Sequence, residues 1–127
     1  MAAPSDRRYS DTHEWHKPEG QVVTLGITRF AIDELTDITF VQLPKPGTQV
    51  RAGSPIGEIE SVKATAELYS GVSGVVSQVN EAVVKDPSII NQDPYEKGWL
   101  VKIEATNPSE LVHLHDSAAY EAKFPSH

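Results

Sequence analysis

A chain of 127 residues and 13.9 kDa closes one hydrophobic core, so residues 1–127 read as a single domain. Its net charge of −7 and pI near 5.1 argue against nucleic acid or an anionic membrane as the main partner and fit protein partners with basic docking faces. With no cysteine there is no disulfide, thiolate metal site or thiol nucleophile, and any sulfur chemistry has to be imported.

The start Met1-Ala2-Ala3-Pro4-Ser5-Asp6-Arg7-Arg8 lacks an apolar signal core, and no apolar run approaches the roughly 20 residues that cross a bilayer. The chain is expected to be a cytoplasmic bacterial protein, or a mitochondrial-matrix one if it is the mature form of an organellar precursor. Short apolar stretches then alternate with Pro- and Gly-containing turns, the pattern of an all-β sandwich or barrel. Strands are expected at 22–27, 38–43, 55–62, 64–69, 75–80 and 99–105, with short pieces near Val50 and Val84. Thr28 caps a short helix over 29–35, and Pro87-Ser88-Ile89-Ile90 makes one turn. In the last strand Trp99, Val101, Ile103 and Ala105 alternate with Leu100, Lys102 and Glu104, so one face is buried and the other is wet. Asn107-Pro108-Ser109-Glu110 offers a cap, a Pro at the first helical position and an acid near orphan amides, which predicts a helix to about Leu114. Asp116 caps another over 117–123, with Tyr120 and Phe124 on one face.

Lys63 stands out between two of these strands. Most hairpins turn on residues that accept positive φ, yet Ser61-Val62-Lys63-Ala64 contains no Gly, Asn or Pro. A reversal there holds the amine out in water, which suggests that the lysine matters more than ease of turning. The alternative is a solvated lysine within one long strand. A faint repeat at an offset of 34 lays 50–56 over 84–90 and Lys63 over Lys97, predicting a second hairpin at Lys97, but that turn has Gly98 and needs no special explanation. No metal is assigned: His13-Glu14-Trp15-His16 lacks the spacing of a zinc-protease helix, and His113 and His115 sit near a helix end that favours a cation. Trp15 and Trp99 read as core or cleft-wall aromatics.

From Tyr9 to about Phe124 the chain resembles the H protein of the glycine cleavage system. The matching stretches are Thr12-His13-Glu14-Trp15, Leu25-Gly26-Ile27-Thr28, Phe40-Val41-Gln42-Leu43-Pro44, Glu60-Ser61-Val62-Lys63-Ala64, Val72-Ser73-Gly74, Asn91-Gln92-Asp93-Pro94-Tyr95 and Gly98-Trp99-Leu100-Val101-Lys102-Ile103. The resemblance implies a mainly β, flattened barrel-sandwich hybrid with short peripheral helices, including a C-terminal helical segment, and lipoic acid bound covalently to Lys63 at a hairpin tip. Gly47, Glu60 and Gly74 stand at the spacings the family uses to present that lysine to lipoylating enzymes, and Thr12, Glu14 and Glu67 align with a cleft for the loaded arm. Biotin acceptors typically flank their lysine with Met, whereas Val62 and Ala64 stand here; lipoyl domains of 2-oxoacid dehydrogenases usually carry Asp before it and sit on multidomain chains.

The implied role is a non-catalytic, monomeric carrier. It takes an aminomethyl group from glycine decarboxylase (P protein) to the tetrahydrofolate-dependent aminomethyltransferase (T protein), and its reduced arm to dihydrolipoyl dehydrogenase (L protein). Other readings are an H-like lipoate carrier of another redox pathway such as sulfur oxidation, and a structural β domain with an unmodified lysine. Three departures from the family pattern stand out: Gly71 where Pro is common, Thr36 where Gly commonly follows the short helix, and Arg29-Phe30 where an acid and then an aromatic or His is usual. A β-branched residue tolerates a left-handed helix C-cap badly, so Thr36 predicts an unusual helix end.

Overall fold

The computed structural model describes residues 3–125. Nine strands, four short α-helices and one 3-10 helix follow in the order β1 (Arg8–Tyr9), β2 (Glu14–Glu19), β3 (Val22–Ile27), α1 (Arg29–Leu35), β4 (Ile38–Gln42), β5 (Gln49–Val50), β6 (Pro55–Ser61), β7 (Thr65–Tyr69), β8 (Gly74–Val79), α2 (Glu81–Lys85), α3 (Ser88–Gln92), β9 (Val101–Ala105), the 3-10 helix Pro108–His113 and α4 (Ser117–Lys123). Two antiparallel sheets result, one of six strands in the order β1-β2-β3-β9-β8-β5 and one of three in the order β4-β6-β7. Neither is closed into a barrel, and together they make the expected flattened sandwich.

The core comprises three clusters, two of them in the space between the sheets. Ile32, Leu35, Val41, Ile59, Leu68, Val83, Ile90 and Leu100 join the helices to the three-stranded sheet, while Val23, Leu25, Val76, Val101 and Ile103 line the six-stranded one. Leu43 and Ile56 pack against both, so the sheets share one apolar interior. Burying each Leu, Ile or Val here contributes about 1.5–3 kcal/mol.

The third cluster, Tyr9, Trp15 and Tyr120, explains how so short a helix as α4 persists. Seven residues do not hold a helix in water. Asp116 caps it by accepting the Ala119 amide at 2.8 Å. Tyr120 stacks on Tyr9 with ring centroids 4.8 Å apart, and its hydroxyl lies 2.7 Å from His13 Nδ1 and 2.8 Å from Thr28 Oγ1. Asp11 completes the attachment by pairing with His115 at 2.7 Å and Lys123 at 3.1 Å, which holds its own carboxyl below the usual carboxylate range.

Several sequence-based expectations are corrected. Residues 81–85, around Val84, form α2 rather than a strand, because Asn80 caps a helix through the Ala82 amide. The last strand starts at Val101, and Leu100, expected on its wet face, is fully buried against the helical cluster. Lys97 lies in turns between α3 and β9, so the anticipated second hairpin does not form. The segment after Asn107 is a 3-10 helix without a side-chain cap, and Glu110 instead binds the Ser73 amide at 2.7 Å and its hydroxyl at 3.0 Å. β1 and β2, rich in polar residues and containing Pro18, were not anticipated as strands.

Candidate functional site

Lys63 is exposed at the reversal between β6 and β7. Among the described residues only His13 and Thr36 combine a side chain with positive φ, so this reversal uses none, which is why it needs no Gly. Ser61 closes it. Its Oγ accepts from the Lys63 amide at 3.3 Å and the Ala64 amide at 3.0 Å and lies 3.2 Å from the Ala64 carbonyl, to which the Ser61 amide donates at 2.8 Å. A serine hydroxyl thus takes over hydrogen bonds that a backbone carbonyl would make in a twist-matched loop.

The loop is also tied from the side. The Val62 amide donates to the Asp37 carbonyl at 3.2 Å. Asp37 is framed by Asn91 of α3, whose Nδ2 donates to the Thr36 carbonyl at 2.8 Å and whose Oδ1 accepts the Ile38 amide at 3.0 Å. Thr36 ends α1 at φ +66° and ψ −137°, a conformation costly for a β-branched residue. The unusual helix end foreseen from the sequence is therefore present, and Asn91 holds it.

Thr12 and Glu14 come together in a cleft of about 320 Å³ lined also by Ser10, Gly53, Tyr69, Ser70, Gly71 and Leu114. Glu14 is 1% exposed. Its carboxylate accepts from Ser10 Oγ at 2.6 Å, from Thr12 Oγ1, and from the Tyr69 amide at 3.1 Å. Burial raises its pKa to about 6 despite these donors, which pull the other way. Two positions along β2, fully buried His16 accepts the Gly71 amide on Nε2 at 2.9 Å. The imidazole is therefore neutral with its proton on Nδ1, an atom without a hydrogen-bond partner among the described residues. Burial lowers its pKa to about 4, with the backbone of Glu14 and Arg8 offsetting this in part.

Glu67 does not line that cleft. It is exposed on β7, opposite Glu58 of β6, and accepts the Tyr69 hydroxyl at 2.9 Å, so Tyr69 links it to the Glu14 cleft. Glu60 lies on β6 between Phe40 and Thr65, three residues before the lysine. Gly47 and Gly74 belong to the other sheet's β5–β8 region. Gly47, at φ +92°, donates to the Val76 carbonyl at 2.7 Å, and Gly74 opens β8, where a Cβ would overlap the Glu104 carbonyl oxygen.

Sequence reasoning missed Ser61, Asn91 and His16. A Ser before a two-residue reversal is a recognisable turn signal. Nothing in the sequence distinguishes a buried His16 from a solvated one.

The family model of the glycine cleavage H-protein matches residues 7–127. The glycine cleavage system H protein of Methylacidiphilum infernorum is 48% identical over 121 residues, covering 95% of this chain and 94% of that relative. The Bacillus subtilis protein of that name is 45% identical, covering 95% of both. The crystal structure of a glycine cleavage system H protein from Mycobacterium marinum superposes with a TM-score of 0.88 at 38% identity, covering 95% of this chain and 98% of that one.

Proposed function

We propose, because the chain belongs to the glycine cleavage H-protein family, that it serves glycine cleavage as a lipoyl carrier with Lys63 as the attachment residue. The observation that supports Lys63 is its setting: an exposed lysine on a reversal that Ser61 and Asp37 hold in place while leaving the side chain free of any ion pair among the described residues. A lipoyl group there supplies the redox-active disulfide that a chain without cysteine lacks.

The protein's own residues contribute presentation and shelter. Glu60, on the strand that delivers Lys63, Gly47, whose positive φ turns the chain ahead of β5, and Gly74, which lets β8 lie close to β9, form the frame that lipoylating enzymes recognise. Thr12 and Glu14 offer a cleft for a cationic amine: Glu14 already accepts three hydrogen bonds and keeps capacity for one more. Glu67 adds a second carboxylate beyond Tyr69. Partners are glycine decarboxylase, aminomethyltransferase and dihydrolipoyl dehydrogenase, met in turn by a carrier that catalyses no step itself. Tethering raises the local concentration of the carried group at each of them. The relatives named above are bacterial, which supports a bacterial cytoplasmic setting.

Peptide mass spectrometry after coexpression with a lipoylating system tests the assignment. Lipoate is expected on Lys63 alone; lipoate on Lys97, or none on Lys63, overturns it. Lys63→Ala is expected to abolish glycine cleavage reconstituted with the three enzymes while leaving the melting temperature nearly unchanged, since an exposed lysine has few contacts to lose.

A further inference from the structure

The outer face of the β4-β6-β7 sheet breaks two ordinary rules. Register sets Phe40, Glu60 and Thr65 in one row and Gln42, Glu58 and Glu67 in the next, on positions alternating with buried Val41, Ile59 and Leu68. Glu58 and Glu67 are directly opposed, an arrangement in which like charges repel. Glu60 lies two residues from Glu58 on the same side, and neither row contains a Lys or Arg to neutralise them. The second anomaly is apolar. Phe40 is 48% and Val62 68% exposed, two of the four large hydrophobic side chains exposed among the described residues. Both stand beside Lys63: Phe40 pairs with Glu60 three residues before it, and Val62 precedes it directly. A fold that needed only stability has no use for either feature.

We propose that this face, with Phe40 and Val62 framed by Glu58, Glu60 and Glu67, is the surface on which the enzyme that acylates Lys63 docks, and that the partner presents an apolar socket rimmed by Lys and Arg. The proposal rests on Lys63 being the attachment residue. Charge selects a basic rim, because three carboxylates and no cation occupy the two rows. Chemistry selects this partner among those that act at Lys63. An acylating enzyme meets a bare lysine, which differs from Lys17, Lys45, Lys85, Lys97, Lys102 and Lys123 only in its surroundings; enzymes that act later can select the arm itself. In the acylation Lys63 Nζ attacks the carbonyl of an acyl adenylate, the amide C–N bond forms, AMP leaves with the electron pair of the broken acyl–phosphate bond, and the amine's surplus proton passes to solvent. The docking face takes no covalent part.

The test is the steady-state kinetics of lipoyl transfer to the apo chain by a purified ATP-dependent lipoate–protein ligase, followed by intact mass. Phe40→Thr and, independently, Val62→Ser are expected to raise KM for the carrier about tenfold, as loss of an apolar anchor does, with kcat within about twofold. E58Q/E67Q is expected to raise KM several-fold at low salt and to flatten its salt dependence. The same double variant should melt no lower than wild type, because it removes a repulsion. Unchanged KM in all three variants, with Lys63 still lipoylated, overturns the docking face and leaves the carrier assignment standing. A raised KM that tracks a lowered melting temperature also overturns it, by making the residues structural. Failure of wild type to accept lipoate on Lys63 removes the premise and the proposal together.

Discussion

His16 Nε2 accepts the Gly71 amide at 2.9 Å, two residues along each segment from the place where the Glu14 carboxylate accepts the Tyr69 amide at 3.1 Å. β2 belongs to the six-stranded sheet and β7 to the three-stranded one. Two buried titratable side chains therefore fasten the sheets where no backbone ladder joins them, and Glu14 with the Tyr69–Gly71 segment lines the cleft.

This fastening makes stability depend on pH in two opposed ways. His16 has a folded pKa near 4 against an ordinary 6.5, so its contribution is complete above pH 6.5 and is lost as pH falls toward 4. Glu14 has a folded pKa near 6 against 4.5, so its contribution is present below pH 4.5 and is lost as pH rises through 6. Between pH 4.5 and 6 the two slopes, each about 1.4 kcal/mol per pH unit, cancel. Urea melts of Glu14→Gln should therefore show stability falling by about 2 kcal/mol relative to wild type from pH 6 to 4.5, as the His16 slope is exposed. Parallel curves for variant and wild type would mean that Glu14 does not titrate as its burial requires, and a flat curve for the variant between pH 4.5 and 6 would mean that His16 does not.

Gly71 tolerates no side chain. A Cβ there would lie 2.9 Å from His16 Nε2 and 3.0 Å from Leu114 Cδ1, so Gly71→Ala is expected to cost about 1–3 kcal/mol by overpacking. Gly71→Pro removes the amide donor as well, and the buried Nε2 left without it costs about 1–3 kcal/mol. Calorimetric melting of both variants measures this; a Gly71→Pro protein as stable as wild type would show the bond to be dispensable.

Gly47 and Gly74 should respond differently to the same change. Gly47→Ala meets open space and is charged only for its φ of +92°, about 1 kcal/mol. Gly74→Ala drives a methyl into the Glu104 carbonyl, which cannot yield without opening the β8–β9 ladder, so a loss of about 3 kcal/mol or more is expected. Equal melting temperatures for the two variants would contradict the packing described at β8.

Thr36 stores strain that Gly would not. Thr36→Gly is expected to stabilise the chain by about 1 kcal/mol, less the entropy Gly adds to the unfolded state. Asn91→Ala, by contrast, strands the Ile38 amide and the Thr36 carbonyl, and should speed hydrogen exchange at Val62 by loosening Asp37. An unaltered Val62 exchange rate in Asn91→Ala would show the hairpin to be anchored elsewhere.

What was legible in the sequence was what local patterning controls. Alternation revealed the central strands, and Thr28 and Asp116 announced the helices that they cap. Leu100 and Val84 were misread because period-two alternation is indistinguishable from a short helix or an irregular run when only a few apolar residues carry it. β2 escaped notice because Glu14, Trp15 and His16 are all buried. That happens only because the Tyr69–Gly71 segment covers one face of the strand while Arg7 lies over Trp15, 4.6 Å from its ring centroid. Lys63 was visible through the oddity of its turn, and Ser61 carried a local turn signal, but Asn91, which frames that turn from α3, acts through hydrogen bonds that no sequence spacing reports.

The Asn91 clamp also sets an order of events during synthesis. A nascent chain that has emerged as far as Tyr69 contains both strands of the Lys63 hairpin, yet not the residue that frames Asp37 and, through it, Val62. α3 must follow and dock before the reversal is seated. Since domains fold as units when their long-range contacts become available, the lysine acquires its finished surroundings only after most of the chain has been made. An enzyme that reads those surroundings therefore acts on completed molecules and passes over ribosome-bound fragments.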